Sequence, residues 1–390
     1  MLDLLVVSHA CFTAINRNIY SLFIRDGWKL ELVVPETLQF PSILKKADPV
    51  MPGDPPIHFL PLVGNNPRTY QFQGLFELLD EKKPAIVLLD NDPVSSLALK
   101  VGTWCHKNNA ALFCISCENL SLGILDTIKR RGISSIPATV YKRGLLFRTK
   151  AVVNGVFTIN KDGQQIFQAE GYKNVRQIPL GFDTNYFFPD KKKRDELREN
   201  LGLQSLTFAY FGRLTKEKGI HLMIEALGGL KQYDWHLVMD HFDASATAYT
   251  QEVSVLLEKA GILDRVIFVS PSHFEIAGYM NAVDVIVVPS VSVPNWKEQY
   301  GRVAAEALAC GRVVVASDSG ALPDLTGGYA TLFPEGDVQS LKDKLEKLLQ
   351  ANYTPDFSTE EIAGYAKERL SIQRQKMVMQ DAFAASKRNK

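Results

Sequence analysis

"DVIVVPSVSVPNWKEQYGRVAAEALACGRVVVAS", residues 284–317, is the stretch on which the reading of the fold turns. It begins with one apolar run, DVIVVPS (284–290), and ends with another, VVVAS (313–317). Unbroken Val/Ile runs of this length suit strands covered on both faces. Between them, RVAAEALACG has helical spacing. Gly301 opens that helix, which leaves Glu298 in the preceding Pro-containing loop and puts Glu306 on the second turn. Strand, loop, helix and strand in this order form the repeating unit of a parallel α/β sheet.

The same alternation runs outward in both directions. Upstream strands are read at LLVVS (4–8), LELVVP (30–35), AIVLLD (85–90), AALFCIS (110–116), VVNGVFTIN (152–160), TFAYFG (207–212), WHLVMD (235–240) and RVIFVS (265–270). The series closes near VRQIPLGFDTNYFFPD, crosses a highly charged helical stretch, KKKRDELRENLGLQS, and restarts at LTFAYFGRL. That restart predicts two Rossmann-like domains, 1–183 and 184–365, facing each other across a cleft lined by the carboxyl ends of both sheets. A C-terminal helix, 366–390, lies within a long amphipathic pattern and is expected to pack back on the first domain.

Composition narrows the classes. The 390 residues are 46% hydrophobic and 22% charged, with a net charge of +1, so no global field points to nucleic acid. No apolar run reaches the roughly 18 residues that a membrane span needs. The start, MLDLLVVSHA, lacks a basic n-region and reads as a first strand. Five cysteines, an odd number in apolar contexts, suit reduced thiols and a cytoplasmic setting. Cys114 and Cys117 form a lone CxxC with no second pair to complete a zinc site.

Glu298 and Glu306 stand eight positions apart. On one continuous helix that would be roughly 12 Å of rise, too far to share a proton or a metal ion. With Glu298 in the loop, the amides of Tyr300, Gly301 and Arg302 fall between the two carboxylates. A helix N-terminus with a glycine is an anion site. Carboxylates would repel the anion itself, so both are read as acceptors for hydroxyls that flank it. A diphosphate flanked by two hydroxyl-bearing groups describes a nucleotide-sugar.

At these residues the chain resembles the retaining GT-B glycosyltransferases of family 4, the group 1 glycosyl transferases. Glu298-x7-Glu306 with EALACG resembles the family's signature, and YFGRLTKEKGIHLMIEAL (210–227) its phosphate-binding stretch. SDSGALPDLTG (317–327) and IPLGFDTNYFFP (178–189) are similar to two further family runs. Together they cover most of residues 178–337 in the family's order, and the likeness is weak before residue 150. It implies a metal-independent, retaining hexosyltransferase with no cofactor. The nucleoside-diphosphate sugar, of UDP-sugar or GDP-mannose type, would be a co-substrate. Arg213, Lys218 and Glu298 would be the catalytic residues. Gly212, Gln299, Tyr300, Gly301, Arg302, Glu306, Ser319 and Gly320 would bind the donor, with Glu306 on the ribose and Glu298 on the transferred sugar. The acceptor would be a glycan, a lipid-linked sugar or a small molecule, as in polysaccharide biosynthesis.

The chain departs from the family after the strand at 235–240, where VMDHFDAS replaces a glycine-rich turn and brings Asp240, His241 and Asp243. On the acceptor side, His9, Asn16 and Arg17 follow the first strand and Glu118 follows another; all four are candidates to line the cleft. Asp90 and Asp92 mimic the metal-binding DxD of the other glycosyltransferase fold, but read as loop and cap residues. Residues 126–150 hold seven basic residues and one acidic, interleaved with apolar ones, a mix able to meet an anionic membrane surface. Such a protein would be cytoplasmic, either free or peripheral on the inner face of a membrane. Three rival readings stand beside the enzyme: a non-catalytic relative that binds a nucleotide-sugar or glycan, a nucleotide-sugar epimerase of the same fold, and an NAD-dependent oxidoreductase. The last lacks any G-x-G-x-x-G after a strand.

Overall fold

The computed structural model describes residues 2–39, 44–64, 66, 68–240, 248–350 and 355–388, with side chains to 386. The chain divides into two compact units, Met1–Gly181 with Ile372–Lys390, and Phe182–Ser371.

The first unit is built on a seven-stranded sheet. Its order is Val175–Gln177, Gly155–Thr158, Ala111–Ser116, Ile86–Asp90, Leu4–Ser8, Leu30–Pro35 and Ile57–Leu60, every pair parallel. The central strands are buried on both faces, as their unbroken apolar runs require. The second unit has a six-stranded parallel sheet in the order Val266–Val269, Trp235–Asp240, Leu206–Tyr210, Val285–Val288, Val313–Ser317 and Thr331–Phe333. All ten strands read from the sequence are present. The two sheets add Ile57–Leu60, Val175–Gln177 and Thr331–Phe333, each at a sheet edge and each short.

In both sheets the strand order reverses beside the first strand of the unit. In the second unit, Leu206–Tyr210 lies between Trp235–Asp240 and Val285–Val288. In the first, Leu4–Ser8 lies between Ile86–Asp90 and Leu30–Pro35. The connections leaving such a reversal run to opposite faces of the sheet and open a crevice at the carboxyl ends of the strands.

The C-terminal pattern is two helices rather than one, Thr359–Leu370 and Ile372–Arg388. Ser371 between them is extended and bridges Phe182, which interrupts the helical ladder. The helix Ile372–Arg388 belongs to the first unit. There Phe383 packs against Phe23, Trp28, Phe113 and Phe157, and Lys376 pairs with Asp26 at 2.5 Å. The charged helix Lys191–Leu201 is capped by Asp190 and belongs to the second unit. Its Arg194 and Arg198 both reach the Asp284 carboxylate and nearby backbone carbonyls.

Candidate active site

At the reversal in the second sheet, the chain leaves Tyr210 through Phe211, Gly212 and Arg213 into a single 3-10 turn, Lys216–Lys218. The Tyr210 hydroxyl donates to the Arg213 carbonyl at 2.7 Å and fixes the start of this loop. The Arg213 side chain is exposed. Gly219 ends the turn at φ +69, and a Cβ there would lie 1.8 Å from the Pro289 carbonyl oxygen. Only glycine lets the turn sit this close to the end of the neighbouring strand. That approach brings Lys218 to the loop between Val285–Val288 and the helix Arg302–Ala309.

There Lys218 Nζ donates to Glu298 Oε2 at 2.6 Å and lies 4.9 Å from the centre of the Trp296 ring. Ser290 Oγ donates to the same Glu298 oxygen at 2.7 Å. Glu298 is only 5% exposed, so its charge is held in place by a cation, a hydroxyl and low solvent access together. Its backbone is braced from the far side. Gly320, at φ +55, would place a Cβ 2.1 Å from the Glu298 carbonyl oxygen, and the Ala321 amide donates to that oxygen at 3.0 Å. Ser319 Oγ lies 3.1 Å from Ser292 Oγ, whose hydroxyl donates to Glu335 at 2.7 Å.

Gly301 is the N-cap of Arg302–Ala309, so Tyr300, Gly301 and Arg302 lie at the N-terminus of that helix. Gln299 is half-buried beside them, Tyr300 is buried and Arg302 is exposed. Glu306 is 9% exposed one turn further on. Burial pushes its carboxyl up to about 7 from the ordinary 4.5, against a smaller pull from Arg302. Two residues 80 positions apart, Lys218 and Glu298, thus meet just before the N-terminus of this helix, with a second buried carboxylate on the helix itself. This arrangement can hold an anion at the amides and cations, and hydroxyls at the carboxylates.

The sequence pointed to most of these residues, but not to Ser290 or Trp296. The signal was weak, since each is one polar or aromatic residue in a loop and reaches Glu298 or Lys218 only through the fold. Asp240 closes the strand Trp235–Asp240, and burial pushes its carboxyl up to about 6. His241 and Asp243 lie outside the described residues. An open cavity of about 590 Å³ lies elsewhere in this unit, between helices Ile220–Gly228 and Ala248–Ala260, and is lined by His221, Tyr249 and Glu252 among others. It contains none of the candidate donor residues.

In the first unit, Ser8 Oγ donates to Asp90 at 2.7 Å, and the exposed His9 donates through Nδ1 to the Asp90 carbonyl at 2.9 Å. His9 therefore stands at the reversal point of its sheet. Asn16 donates to the Ala10 carbonyl at 2.7 Å and shapes the same loop. Arg17 does not line a binding surface as expected. It is 0% exposed, and its guanidinium donates to the carbonyls of Cys11, Phe12, Asp48 and Pro49 and to the Asp54 carboxylate. Burial requires a charged group to be fully partnered, and the partners here tie the 48–54 loop to the first turn. Glu118 meets Lys142 at 3.1 Å and Arg68 at 3.6 Å, near the buried Asp92, which accepts from Ser116. Burial and the nearby Glu118 raise the Asp92 carboxyl above its usual range. Among the described residues no group of three or more His, Cys, Asp or Glu side chains is arranged to hold a metal ion. The cysteine sulfurs are unbonded to one another, and Cys117 of the CxxC is exposed while Cys114 is buried.

Comparison with known proteins places the chain in a class. A model of the glycosyl transferases group 1 family matches residues 192–369, nearly all of the second unit. The likeness to that family lies in this part of the chain. The chain is 32% identical over 206 residues to a D-inositol 3-phosphate glycosyltransferase of Corynebacterium jeikeium, covering 49% of this chain and 48% of that protein. It is 34% identical over 154 residues to the lipopolysaccharide core biosynthesis mannosyltransferase LpsB of Rhizobium meliloti, covering 38% and 42%. The chain thus spans about half the length, or less, of the curated relatives it matches. Among solved structures, it is similar along 99% of its length to Anabaena Alr3699/HepE in complex with UDP and glucose, with a TM-score of 0.72 and 17% identity. A glycosyltransferase from Rickettsia africae matches with a TM-score of 0.74 at 14% identity. The fold is GT-B, with two Rossmann-like units.

Proposed function

We propose that the protein transfers a glycosyl group from a nucleoside-diphosphate sugar to an acceptor hydroxyl, with retention of anomeric configuration and without a metal ion. The observation that carries this reading is the 2.6 Å pair of Lys218 and Glu298 beside the N-terminus of Arg302–Ala309. It supports a site with one end for phosphate and another for sugar. Lys218 uses one of its three N–H donors on Glu298, which leaves its charge facing the position that a diphosphate at the helix terminus would take. Arg213 and the helix amides would share that load. Glu306 would accept from the ribose hydroxyls, and Glu298 from a hydroxyl of the transferred sugar. Ser319 and Gly320 would support Glu298 from behind. A donor of UDP-sugar or GDP-mannose type agrees with relatives whose names include UDP, glucose and mannosyltransferase.

In the step itself, the bond from the anomeric carbon to the diphosphate oxygen breaks through an oxocarbenium-like state. The acceptor oxygen bonds to that carbon on the face the diphosphate leaves. A departing phosphate oxygen takes the acceptor proton, and the cations neutralise the diphosphate. Glu298 and Glu306 sit with the donor rather than opposite each other across a scissile bond, unlike the acid pair of a retaining glycosidase. On the acceptor side the residues placed at a reversal point are His9 and, through its carbonyl and carboxylate, Asp90.

Incubation with UDP-, GDP- and ADP-sugars, with release of nucleoside diphosphate as the readout, tests the activity. Turnover of at least one donor, insensitive to EDTA, is expected, with the product anomer matching the donor by NMR. Full loss in EDTA restored by Mn²⁺ would return attention to Asp90 and Asp92. Binding without turnover of any donor would favour the non-catalytic reading, and change of the sugar without an acceptor would favour the epimerase.

A further inference from the structure

We propose that the surface formed by the helices Ile124–Arg131 and Ile136–Thr149 docks on an anionic lipid bilayer. The inference goes beyond the proposed transfer and does not depend on it. Helix Ile124–Arg131 has no buried residue. The three most exposed large apolar side chains among the described residues all lie here: Ile133 at 76%, Phe147 at 75% and Leu125 at 74%. Single exposed apolar residues are ordinary, but the highest three within one short segment mark an interaction surface.

The second helix buries Thr139, Leu145, Leu146 and Thr149, and it also turns apolar side chains to solvent. Its exposed positions are Ile136, Pro137, Ala138, Val140, Tyr141, Gly144, Phe147 and Arg148, and from Pro137 on most recur at helical spacing. Its inner flank carries Lys142 and Arg143, which are paired with Glu118 at 3.1 Å and Glu170 at 2.6 Å. Apolar side chains therefore face solvent, while Lys142 and Arg143 are half-buried in ion pairs on the flank. Lys129, Arg131 and Arg148 are exposed around this apolar stripe, and Lys150 Nζ lies 5.9 Å from the Phe147 ring.

Charge selects the occupant. Residues 126–150 hold seven Lys or Arg and a single Asp, although the whole chain carries only +1, so acids outnumber bases elsewhere. A second copy placed symmetrically on this face would oppose like charges. A soluble polyanion would match the cations but leave Leu125, Ile133 and Phe147 in water. A bilayer with anionic headgroups satisfies both, since apolar side chains enter the acyl boundary while the Lys and Arg heads stay at headgroup level.

Sedimentation of the full chain with two kinds of vesicle tests this: phosphatidylcholine alone, and an equimolar mixture with phosphatidylglycerol. The protein is expected to pellet with the mixed vesicles, to stay in solution with phosphatidylcholine alone, and to be released by salt. The variant Lys129→Glu/Arg131→Glu/Arg148→Glu should lose on the order of 100-fold in partitioning. Leu125→Ser/Ile133→Ser/Phe147→Ser should also lose binding, with circular dichroism showing that both variants are folded. Phe147→Trp supplies a measurement independent of these variants. Brominated lipid in mixed vesicles should quench its fluorescence beyond that of the four native tryptophans. Failure of the wild type to pellet, equal pelleting with neutral vesicles, or absence of the added quenching would overturn the proposal. So would wild-type self-association that the serine variant abolishes, since the surface would then belong to a second copy. Absence of donor turnover would bear on the transfer reaction and leave the vesicle result standing.

Discussion

On the proposed reading, Lys218 and Glu298 carry the chemistry at the scale of single residues. Lys218→Ala should lower transfer by on the order of 10²-fold or more, as loss of a transition-state donor does, and wild-type turnover in that variant would remove Lys218 from the mechanism. Gly320 is a more demanding case because it has no side chain and acts on Glu298 through its backbone. An added Cβ would lie 2.1 Å from the Glu298 carbonyl, so Gly320→Ala must move the backbone that aims Glu298. Loss of turnover with nucleotide affinity kept is the expected result. Glu306 contributes a pH dependence. Its carboxyl is held up to about 7 by burial, so the folded chain binds this proton more tightly than the unfolded chain does. Its effect on unliganded stability is therefore most favourable below the ordinary 4.5 and is lost as pH rises through about 7. Ribose hydroxyls donate to the ionised form and favour it. Nucleotide affinity should then strengthen as pH rises through about 7, with a proton released on binding. Calorimetry in buffers of different ionisation enthalpy reads this proton, and the Glu306→Gln difference separates it from titration of the phosphate. A profile that Glu306→Gln leaves unchanged would assign the titration to another group.

At the scale of elements, the sequence was legible wherever one physical pattern dominated. Central strands such as Leu4–Ser8 and Val285–Val288 are apolar on both faces and announce themselves. The helix Arg302–Ala309 was legible from its glycine opening and apolar spacing. Edge strands were not. Ile57–Leu60 and Thr331–Phe333 are short and half-exposed, and only their neighbours make them strands. The break at Ser371 was hidden as well, because it depends on pairing with Phe182, far away in sequence. Arg17 misled for the opposite reason. Its place after the first strand suggests a ligand contact, yet five backbone and side-chain acceptors close around it, and these come from 11–12 and 48–54. Sequence spacing locates a charged residue on an element but does not say which loop folds over it. Lys218 with Glu298 was legible only because each motif was recognisable alone. Their 2.6 Å meeting is a product of the sheet reversal.

For the whole molecule, the division into units separates stability from chemistry. Phe383, near the C-terminus, fills the aromatic cluster of the first unit, while the proposed donor residues lie in the second. Phe383→Ala should cost about 3–5 kcal/mol of first-unit stability by denaturant unfolding, yet leave nucleotide affinity close to wild type. Loss of both together would mean that the units do not act as separate folding bodies. The central claim is that one helix terminus holds a nucleotide-sugar between two carboxylates with different partners. Glu306→Ala should weaken both the free nucleoside diphosphate and its sugar form, each by roughly 1.5–3 kcal/mol. Glu298→Ala should leave the affinity for free nucleotide nearly intact, or slightly raised by removal of a nearby negative charge, with its loss appearing in turnover. Calorimetric titration of both variants with nucleotide alone and with nucleotide-sugar makes the comparison directly. The account predicts a loss of free-nucleotide affinity in Glu306→Ala only; an equal loss in both variants would contradict it.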